Sequence, residues 1–254
     1  MNQTEKARAF AALHIPGQPV ILFNAWDAGS ARAVAETGAK AVATGSWSVA
    51  AAHGFEDAEG LPLDLAVANA ARIVSAVELP VTVDFEGGYA VEPGGVAENF
   101  GLVLAAGVIG CNFEDRIVGS QGLHPVGFQA SRVEALRRAA ERAGVPAFIN
   151  ARTDIFLQAK SDEHDRAHCE QAIERLRAYA DAGASGFFVP GLADESLIAR
   201  ICEASSLPVN VMMFPGMPTP KRLADLGVAR ISYGPGPYRQ AMKALTDAAR
   251  AAFG

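Results

Sequence analysis

Short apolar runs alternate with longer amphipathic segments about eight times along this chain of 254 residues. The runs are four or five residues long and apolar on both faces, which is typical of buried parallel strands. They predict strands at Val20–Phe23, Ala41–Thr44, Val81–Asp84, Gly110–Glu114, Ala147–Ala151, Gly186–Val189, Val209–Met212 and Arg230–Tyr233. Between them, apolar residues spaced i, i+3, i+4 predict helices, the clearest at Leu65–Val77, Val96–Ala106, Arg132–Ala143, His168–Ala182 and Ser196–Ala204.

This alternation is typical of an α/β fold in which helices cover a parallel sheet. Many helical segments end in Ala-Gly or a similar pair, and glycine suits the left-handed residue that closes a helix. Eight strand–helix units in about 250 residues favour a (β/α)8 barrel of the TIM type over an open sheet. No glycine-rich dinucleotide motif follows the first strand and no linker divides the chain, so we expect a single barrel domain over residues 1–254.

Charge and cysteine content narrow the range of partners. The net charge is −6 and no basic stripe is present, which argues against nucleic acid as a partner. The three separated cysteines suggest neither a disulfide framework nor a zinc site. The first residues lack the apolar core of a signal peptide, and no apolar stretch approaches about 18 residues. We therefore expect a cytoplasmic protein with no membrane partner.

Two acids follow the third predicted strand at its C-terminal end. Asp84 and Glu86 are two residues apart, so their side chains leave the strand on the same side. Two close carboxylates repel each other unless a cation lies between or beside them. A barrel gathers the C-terminal ends of its strands at one face, so Glu114 from the fourth strand could join this pair in holding a hard divalent cation. A strand end running into solvent is the alternative.

Other polar residues at the strand ends suggest a site for an anion. Arg152 could grip a carboxylate in two places, or it could pair structurally with Glu114 or Asp154. The small-residue turn Thr44–Ser46 could offer backbone N–H groups to an oxyanion, or could be an ordinary strand-to-helix turn. Asn210 lies on the seventh predicted strand and adds another polar group.

Several nearby residues indicate structural roles instead. Asp27 precedes a helical segment and favours a helix cap. Trp26 suggests packing or a pocket wall, and Cys111 a small core residue inside the fourth strand. His53 and His124 are acid/base candidates, although a single loop histidine is seldom catalytic.

Six segments, in their order and spacing, resemble the isocitrate lyase/phosphoenolpyruvate mutase superfamily over nearly the whole chain. They are Trp26–Arg32, Thr44–Ser46, His53–Asp57, Val83–Tyr89, Asn112–Asp115 and Asn150–Asp154. The resemblance implies a (β/α)8 barrel whose last helix is exchanged with a neighbouring subunit of a homodimer or homotetramer.

The resemblance also implies a site for Mg²⁺, or for Mn²⁺ in its place. Four acids would hold the metal directly or through water: Asp57, Asp84, Glu86 and Glu114. A small 2-oxo acid would chelate this metal, and its binding site would comprise Trp26, Thr44, Gly45, Ser46, Asp84, Arg152 and Asn210. We assign catalysis to Arg152, Glu114 and Asp57.

Two departures from the family pattern bear on the reaction. Family lyases carry a Lys-Lys-Cys-Gly-His-type loop after the fourth strand, and the phosphonate enzymes carry a lysine- and asparagine-bearing loop there. Here the loop at 118–125 reads Val-Gly-Ser-Gln-Gly-Leu-His-Pro, with neither the lysine and cysteine of the lyases nor the lysine and asparagine of the phosphonate enzymes. Glu86 stands where better-known members have aspartate, and its extra methylene would still reach a metal-bound water.

We therefore expect a magnesium-dependent lyase or decarboxylase. It would act on a C–C bond of a small 2-oxo (di)carboxylic acid such as oxaloacetate, through an enolate. Two alternatives remain open. One is a phosphonate enzyme of the phosphoenolpyruvate mutase or phosphonopyruvate hydrolase type, and the other is a non-catalytic 2-oxo acid binder.

Overall fold

Eight parallel strands form in the computed structural model, which describes all 254 residues. Strands β1 to β8 are Val20–Leu22, Val42–Ala43, Val81–Asp84, Gly110–Glu114, Phe148–Arg152, Gly186–Phe188, Val209–Met212 and Arg230–Ser232. Their order in the sheet is β1-β8-β7-β6-β5-β4-β3-β2, so the two ends of the sheet are consecutive strands. A parallel bridge between Ala25 and Thr44 joins these two ends. The nearly closed barrel confirms the predicted (β/α)8 fold class.

Helices alternate with the strands, and each of the five clearest predicted helices forms. The α-helices α1 to α11 are Gln3–Ala12, Ala28–Glu36, Ser46–Ala52, Leu63–Ala76, Pro93–Ala105, Val126–Arg142, Ile155–Gln158, Arg166–Asp181, Glu195–Ala204, Pro220–Asp225 and Gly236–Phe253. A 3-10 turn at Ser161–Glu163 separates α7 from α8. None of the helices is both long and apolar enough to cross a membrane.

Closure of the barrel between β1 and β2 depends on the side chain of Asn24. Its Nδ2 donates to the carbonyl of Thr44 at 2.9 Å, and its Oδ1 accepts from the backbone N–H groups of Tyr233 and Gly234, each at 2.9 Å. The Ala25 N–H adds a hydrogen bond of 2.8 Å to the Ala43 carbonyl. One amide therefore ties the ends of β1, β2 and β8 together, directly beside the strand ends that the sequence predicts to be functional.

A layer of polar side chains fills the barrel interior below the strand ends. Asn150 Nδ2 donates to the side-chain oxygens of Asn112 at 2.9 Å and Asn210 at 3.0 Å, and the Arg230 guanidinium donates to Asn112 at 3.0 Å. All four residues are buried. Gly186 on β6 leaves room for this layer, because a Cβ there would lie 2.8 Å from the Asn150 oxygen.

The last helix, α11, is packed differently from the others. Pro237 is its only buried residue, and Leu245 is 63% exposed. The outer face of the first strand is also uncovered, with Ile21 41% and Phe23 40% exposed. A largely apolar groove lies between these surfaces, lined among others by Phe23, Trp26, Ala33, Val34, Ala241 and Ala244.

Candidate active site

Arg152, the last residue of β5, lies at the centre of the strand-end face among three carboxylates. Its Nε and Nη2 donate to the two oxygens of Asp154 at 2.6 and 2.9 Å, which is a bidentate pair. Its Nη1 lies 2.8 Å from Glu114 Oε2 and 3.9 Å from Asp84 Oδ2. The structural pairing with Glu114 and Asp154 that the sequence left open is therefore formed, and it fixes the plane of the guanidinium.

Asp84, the last residue of β3, is held from the side of the Thr44–Ser46 turn. Its Oδ2 accepts from the Ser46 hydroxyl at 3.0 Å and from the Ser46 N–H at 3.3 Å, and its own N–H donates to Thr44 Oγ1 at 3.1 Å. The turn thus positions the Asp84 carboxylate, and its predicted role toward a bound oxyanion stays a prediction. The other oxygen of Asp84, Oδ1, is buried without a hydrogen-bond partner, and a buried acceptor of this kind calls for a ligand.

Both carboxylate oxygens of Glu86 accept hydrogen bonds from neighbouring loop residues. Its Oε2 accepts from the Glu59 N–H at 2.7 Å, and its Oε1 accepts from the Tyr89 hydroxyl at 3.1 Å. Asp57, on the same loop as Glu59, is exposed. No three His, Cys, Asp or Glu side chains lie close enough to form a complete metal site. The predicted acids therefore surround one region without making a closed coordination shell.

A cavity of about 170 Å³ opens among these side chains. Its polar lining includes Ser46, Asp57, Asp84, Asn112 and Arg152. Three residues predicted to contact the substrate, Trp26, Thr44 and Asn210, are not among those that line it. Trp26 packs edge-on against Tyr238 in the groove beside α11, and Trp47 forms the cavity wall instead. Asn210 is 1% exposed in the amide layer below, where it accepts from Asn150.

Negative charge exceeds positive charge around the cavity. Burial raises the pKa of Asp84 and holds the pKa of Glu114 well above its usual range. Burial, with the charges of Asp84 and Asp57, raises the pKa of Glu86 to about 7. Burial alone would lower the pKa of Arg152, but the carboxylates around it raise that pKa well above its usual value, so Arg152 stays charged.

The charge balance indicates whether these residues could bind a metal ion. Five acids, Asp57, Asp84, Glu86, Glu114 and Asp154, lie near the Arg152 guanidinium, while the buried Arg230 in the layer below also interacts with Asp84. Carboxylate oxygens are the ligands that Mg²⁺ prefers, and Mg²⁺ keeps several waters in its shell. The unpartnered Asp84 Oδ1 and the incomplete set of protein ligands fit a hydrated divalent cation.

Several residues have the structural roles that the sequence indicates. Asp27 caps α2, accepting from the Ser30 N–H at 2.7 Å, and Cys111 is fully buried in the core. His53 is bound to the Val49 carbonyl at 2.8 Å near the end of α3. His124 is buried beside Phe128.

Sequence reasoning gave no role to two acids that shape the site, although Asp115 lies within the matched segment Asn112–Asp115. Asp115 is fully buried, accepts from the Asp154 N–H at 3.0 Å, and pairs with Arg175 at 3.1 Å. Its position directly after Glu114 means that it points to the other face of the strand end, which is a usable sequence signal. Glu59 lies in an irregular loop, and no periodic pattern marks its contact with Glu86.

We expect Glu86 to link stability to pH. Its carboxyl keeps its proton up to a pKa of about 7 in the folded protein, against 4.5 as its ordinary value. The stabilisation is therefore complete below about pH 4.5 and is lost as the pH rises through 7, on the order of 3 kcal/mol at roughly 1.4 kcal/mol per pKa unit. Glu86→Gln should remove this loss, and urea unfolding between about pH 5 and 8 measures it.

The exposed acid Glu203 on α9 provides the matched control, since Glu203→Gln should leave the pH profile unchanged. If Glu86 takes part in binding a cation, added Mg²⁺ should stabilise the wild type more at pH 8 than at pH 5, because binding favours the deprotonated carboxylate. An equal difference between wild type and Glu86→Gln at both pH values would contradict the prediction.

The chain matches known proteins along nearly its whole length. A solved structure of a candidate phosphonomutase from Burkholderia cenocepacia J2315 superposes with a TM-score of 0.97, is 51% identical, and covers 99% of this chain and 100% of that one. The 2-methylisocitrate lyase of Salmonella typhimurium is 27% identical over 240 residues, which are 87% of this chain and 79% of the lyase. An oxaloacetate decarboxylase of Pseudomonas savastanoi is 26% identical over 250 residues, covering 96% and 83% of the two chains.

The family model for phosphoenolpyruvate phosphomutase matches residues 10–253. This match confirms the resemblance that the six sequence motifs indicate. The chain belongs to the phosphoenolpyruvate phosphomutase family and is an enzyme of the isocitrate lyase/phosphoenolpyruvate mutase superfamily, whose lyases include the 2-methylisocitrate lyase above.

Proposed function

We propose that this chain is a Mg²⁺- or Mn²⁺-dependent lyase that acts on a C–C bond of a small 2-oxo (di)carboxylic acid, with oxaloacetate as the leading candidate. The observation that carries the proposal is the excess of buried carboxylates around Arg152, with Asp84 Oδ1 left without a partner. Members of the superfamily generally use a divalent metal, and two relatives are named as a 2-methylisocitrate lyase and an oxaloacetate decarboxylase.

The residues of the cavity have separable tasks in this proposal. Asp84 would hold the cation directly, with Asp57, Glu86 and Glu114 acting through its waters. A cation bound there would polarise the 2-oxo acid and stabilise the negative charge that develops when the C–C bond breaks. Arg152 would pair with the substrate carboxylate, because Asp154 holds its guanidinium plane in place. Asp57 and Glu114, with Arg152, are the residues assigned to catalysis.

We expect purified protein with Mg²⁺ to turn over at least one member of a panel of 2-oxo and 2-hydroxy diacids, oxaloacetate among them. Oxalate should bind in the presence of Mg²⁺, since it offers the same pair of oxygens as a 2-oxo acid. Arg152→Ala should weaken oxalate binding at least about tenfold, because it removes a charge-assisted hydrogen bond. Calorimetric titration measures the affinity, and Arg138→Ala on the exposed face of α6 is the control.

Two results would contradict parts of this proposal. Unchanged oxalate affinity in Arg152→Ala would rule out the carboxylate role of that residue. Tight oxalate binding without turnover of any candidate would favour a non-catalytic 2-oxo acid binder.

The 51% identity to a candidate phosphonomutase favours a second function, the rearrangement or hydrolysis of a phosphonate such as phosphonopyruvate. Both functions use the same anion and metal groups. The phosphonate enzymes carry a lysine and an asparagine in the loop after the fourth strand, and the loop at 116–125 of this chain has neither. Incubation with phosphonopyruvate followed by ³¹P NMR separates them, since a shifted or released phosphorus signal would establish the second function.

The position of Arg116 favours a substrate that carries a second carboxylate. This residue follows β4 and lines a polar recess together with Ser120, Gln121 and Gln158. Leu157 lines both this recess and the central cavity, so the two adjoin. None of the ion pairs in the structure involves Arg116. Its charge is therefore available to an anionic group at the far end of a substrate.

We expect Arg116→Gln to reduce kcat/KM for a 2-oxo diacid about tenfold or more, the cost of one charge-assisted contact. A 2-oxo monoacid, which lacks the distal charge, should be affected far less. Steady-state kinetics with both substrates checks this, and Arg142→Gln at the exposed end of α6 is the control. A similar loss for both substrates would contradict a role in reading the second carboxylate.

We also propose that the chain forms homodimers or homotetramers through exchange of α11, as the family resemblance implies. The uncovered outer face of β1 and the apolar groove beside Trp26 would receive a helix of a second copy. Leu245 should then be buried by the partner, although it is 63% exposed in one chain.

Leu245→Glu should convert the assembly to monomers, because it would place a charge in an apolar contact. Light scattering coupled to size exclusion measures the mass. Lys243→Gln, at an exposed position paired with Asp247, should leave the assembly intact. A wild-type protein that is already monomeric would refute the exchange.

A further inference from the structure

Backbone strain is concentrated in two loops beside Asp84. Four residues other than glycine have positive φ, and all four lie in these loops: Ala58 at 61°, Glu59 at 61°, Glu86 at 49° and Tyr89 at 56°. Residues with a Cβ rarely adopt this conformation, and where they do the surrounding structure must hold them there. The two loops are therefore held by specific contacts.

Those contacts are reciprocal hydrogen bonds between carboxylates and backbone amides. The Glu59 N–H donates to Glu86 Oε2 at 2.7 Å, and the Tyr89 N–H donates to Glu59 Oε1 at 2.8 Å. The Tyr89 hydroxyl adds a hydrogen bond of 3.1 Å to Glu86 Oε1. Each loop thus supplies a carboxylate that accepts an amide of the other loop, and all three bonds depend on Glu59 or Glu86.

Of the two loops, the one at residues 86–90 has the more hydrogen-bond support. The buried guanidinium of Arg132 donates to the carbonyls of Gly87 and Ala90. A Cβ at position 87 would lie 3.0 Å from Glu59 Oε1 and 2.8 Å from Val118, so glycine lets Glu59 and the loop after β4 approach closely. The loop of residues 57–60 has no comparable support besides the Glu59 contacts, and it carries the exposed Asp57.

We propose that Glu59 is a positioning residue. Together with Glu86 it binds the loop of residues 57–60 to the loop of residues 86–89, and we call this set of hydrogen bonds the latch. The latch holds Asp57 at the edge of the cavity. Asp57 lines the cavity, whereas Glu59 does not. Glu59 acts through the loop and touches no reacting group. A shorter side chain at position 86 would not reach the Glu59 N–H from the same backbone, so the glutamate at this position serves the latch. The consequence for ligand binding rests on the proposed role of Asp57.

The latch can be tested with Glu59→Ala, Glu59→Gln and the control Glu56→Ala, an exposed acid in the same loop. In the ligand-free protein, hydrogen-exchange mass spectrometry should show amides of segments 57–60 and 86–89 exchanging about tenfold faster in Glu59→Ala than in wild type. Glu59→Gln keeps the Oε1 acceptor for Tyr89 and should retain most of the protection. Glu56→Ala should match the wild type.

Binding of oxalate in the presence of Mg²⁺ tests the consequence for the site. Glu59→Ala should weaken it about five- to tenfold in the wild-type background and leave it unchanged in the Asp57→Ala background, because the latch acts through Asp57. Equal losses in both backgrounds would overturn the positioning role, and unchanged hydrogen exchange would overturn the latch itself.

Should Glu59→Ala fail to fold, Glu86→Asp, which keeps the charge but shortens the side chain, must show the same local rise in exchange. Failure of the wild type to bind oxalate would contradict the proposed function, while the exchange result would still decide the latch.

Discussion

The imbalance of charge around Arg152 is the constraint on which the rest of the strand-end face depends. One guanidinium is in contact with Glu114 and Asp154 and near Asp84, with further acids close by. Charges removed from water are costly unless they are paired, so these groups must share protons, share Arg152 or bind a cation. The bidentate pair with Asp154 uses one side of the guanidinium and Glu114 contacts the remaining nitrogen at 2.8 Å, which leaves Asp84 Oδ1 without a partner.

The barrel places these charges together through contacts that are not themselves charged. Asn24 ties the ends of β1, β2 and β8, and the amide layer of Asn112, Asn150 and Asn210 fills the interior below them. Both sets use side-chain amides, which can donate and accept at once and therefore join several strands. The loops above depend instead on carboxylate–amide bonds, and the positive φ values of residues other than glycine occur only in these loops.

Most of the architecture and part of the site could be predicted from the sequence. All eight strands and the convergence of Asp84, Glu114 and Arg152 follow from periodicity and from position at strand ends. Asn210 and Trp26 show the limit of this reasoning. Asn210 points into the barrel interior and not into the cavity, and although Trp26 and Trp47 both pack against Tyr238, only Trp47 lines the cavity. The metal and catalytic roles of the acids stay predictions.

The sequence by itself determined the α/β class, the eight strand–helix units, the family and the acids at the strand ends, because each of these depends on local pattern or on motif spacing. Only the tertiary structure decided that the Thr44–Ser46 turn holds Asp84, that Arg152 is shared among three carboxylates, and that Glu59 and Glu86 join two strained loops. The contacts made by the turn and by the two loops link residues about 27 to 40 positions apart, and at least one partner of each lies in an irregular segment or at the end of a helix or strand. Such segments have no periodicity, so their pairing is set by the closure of the barrel and by the need to satisfy buried charge.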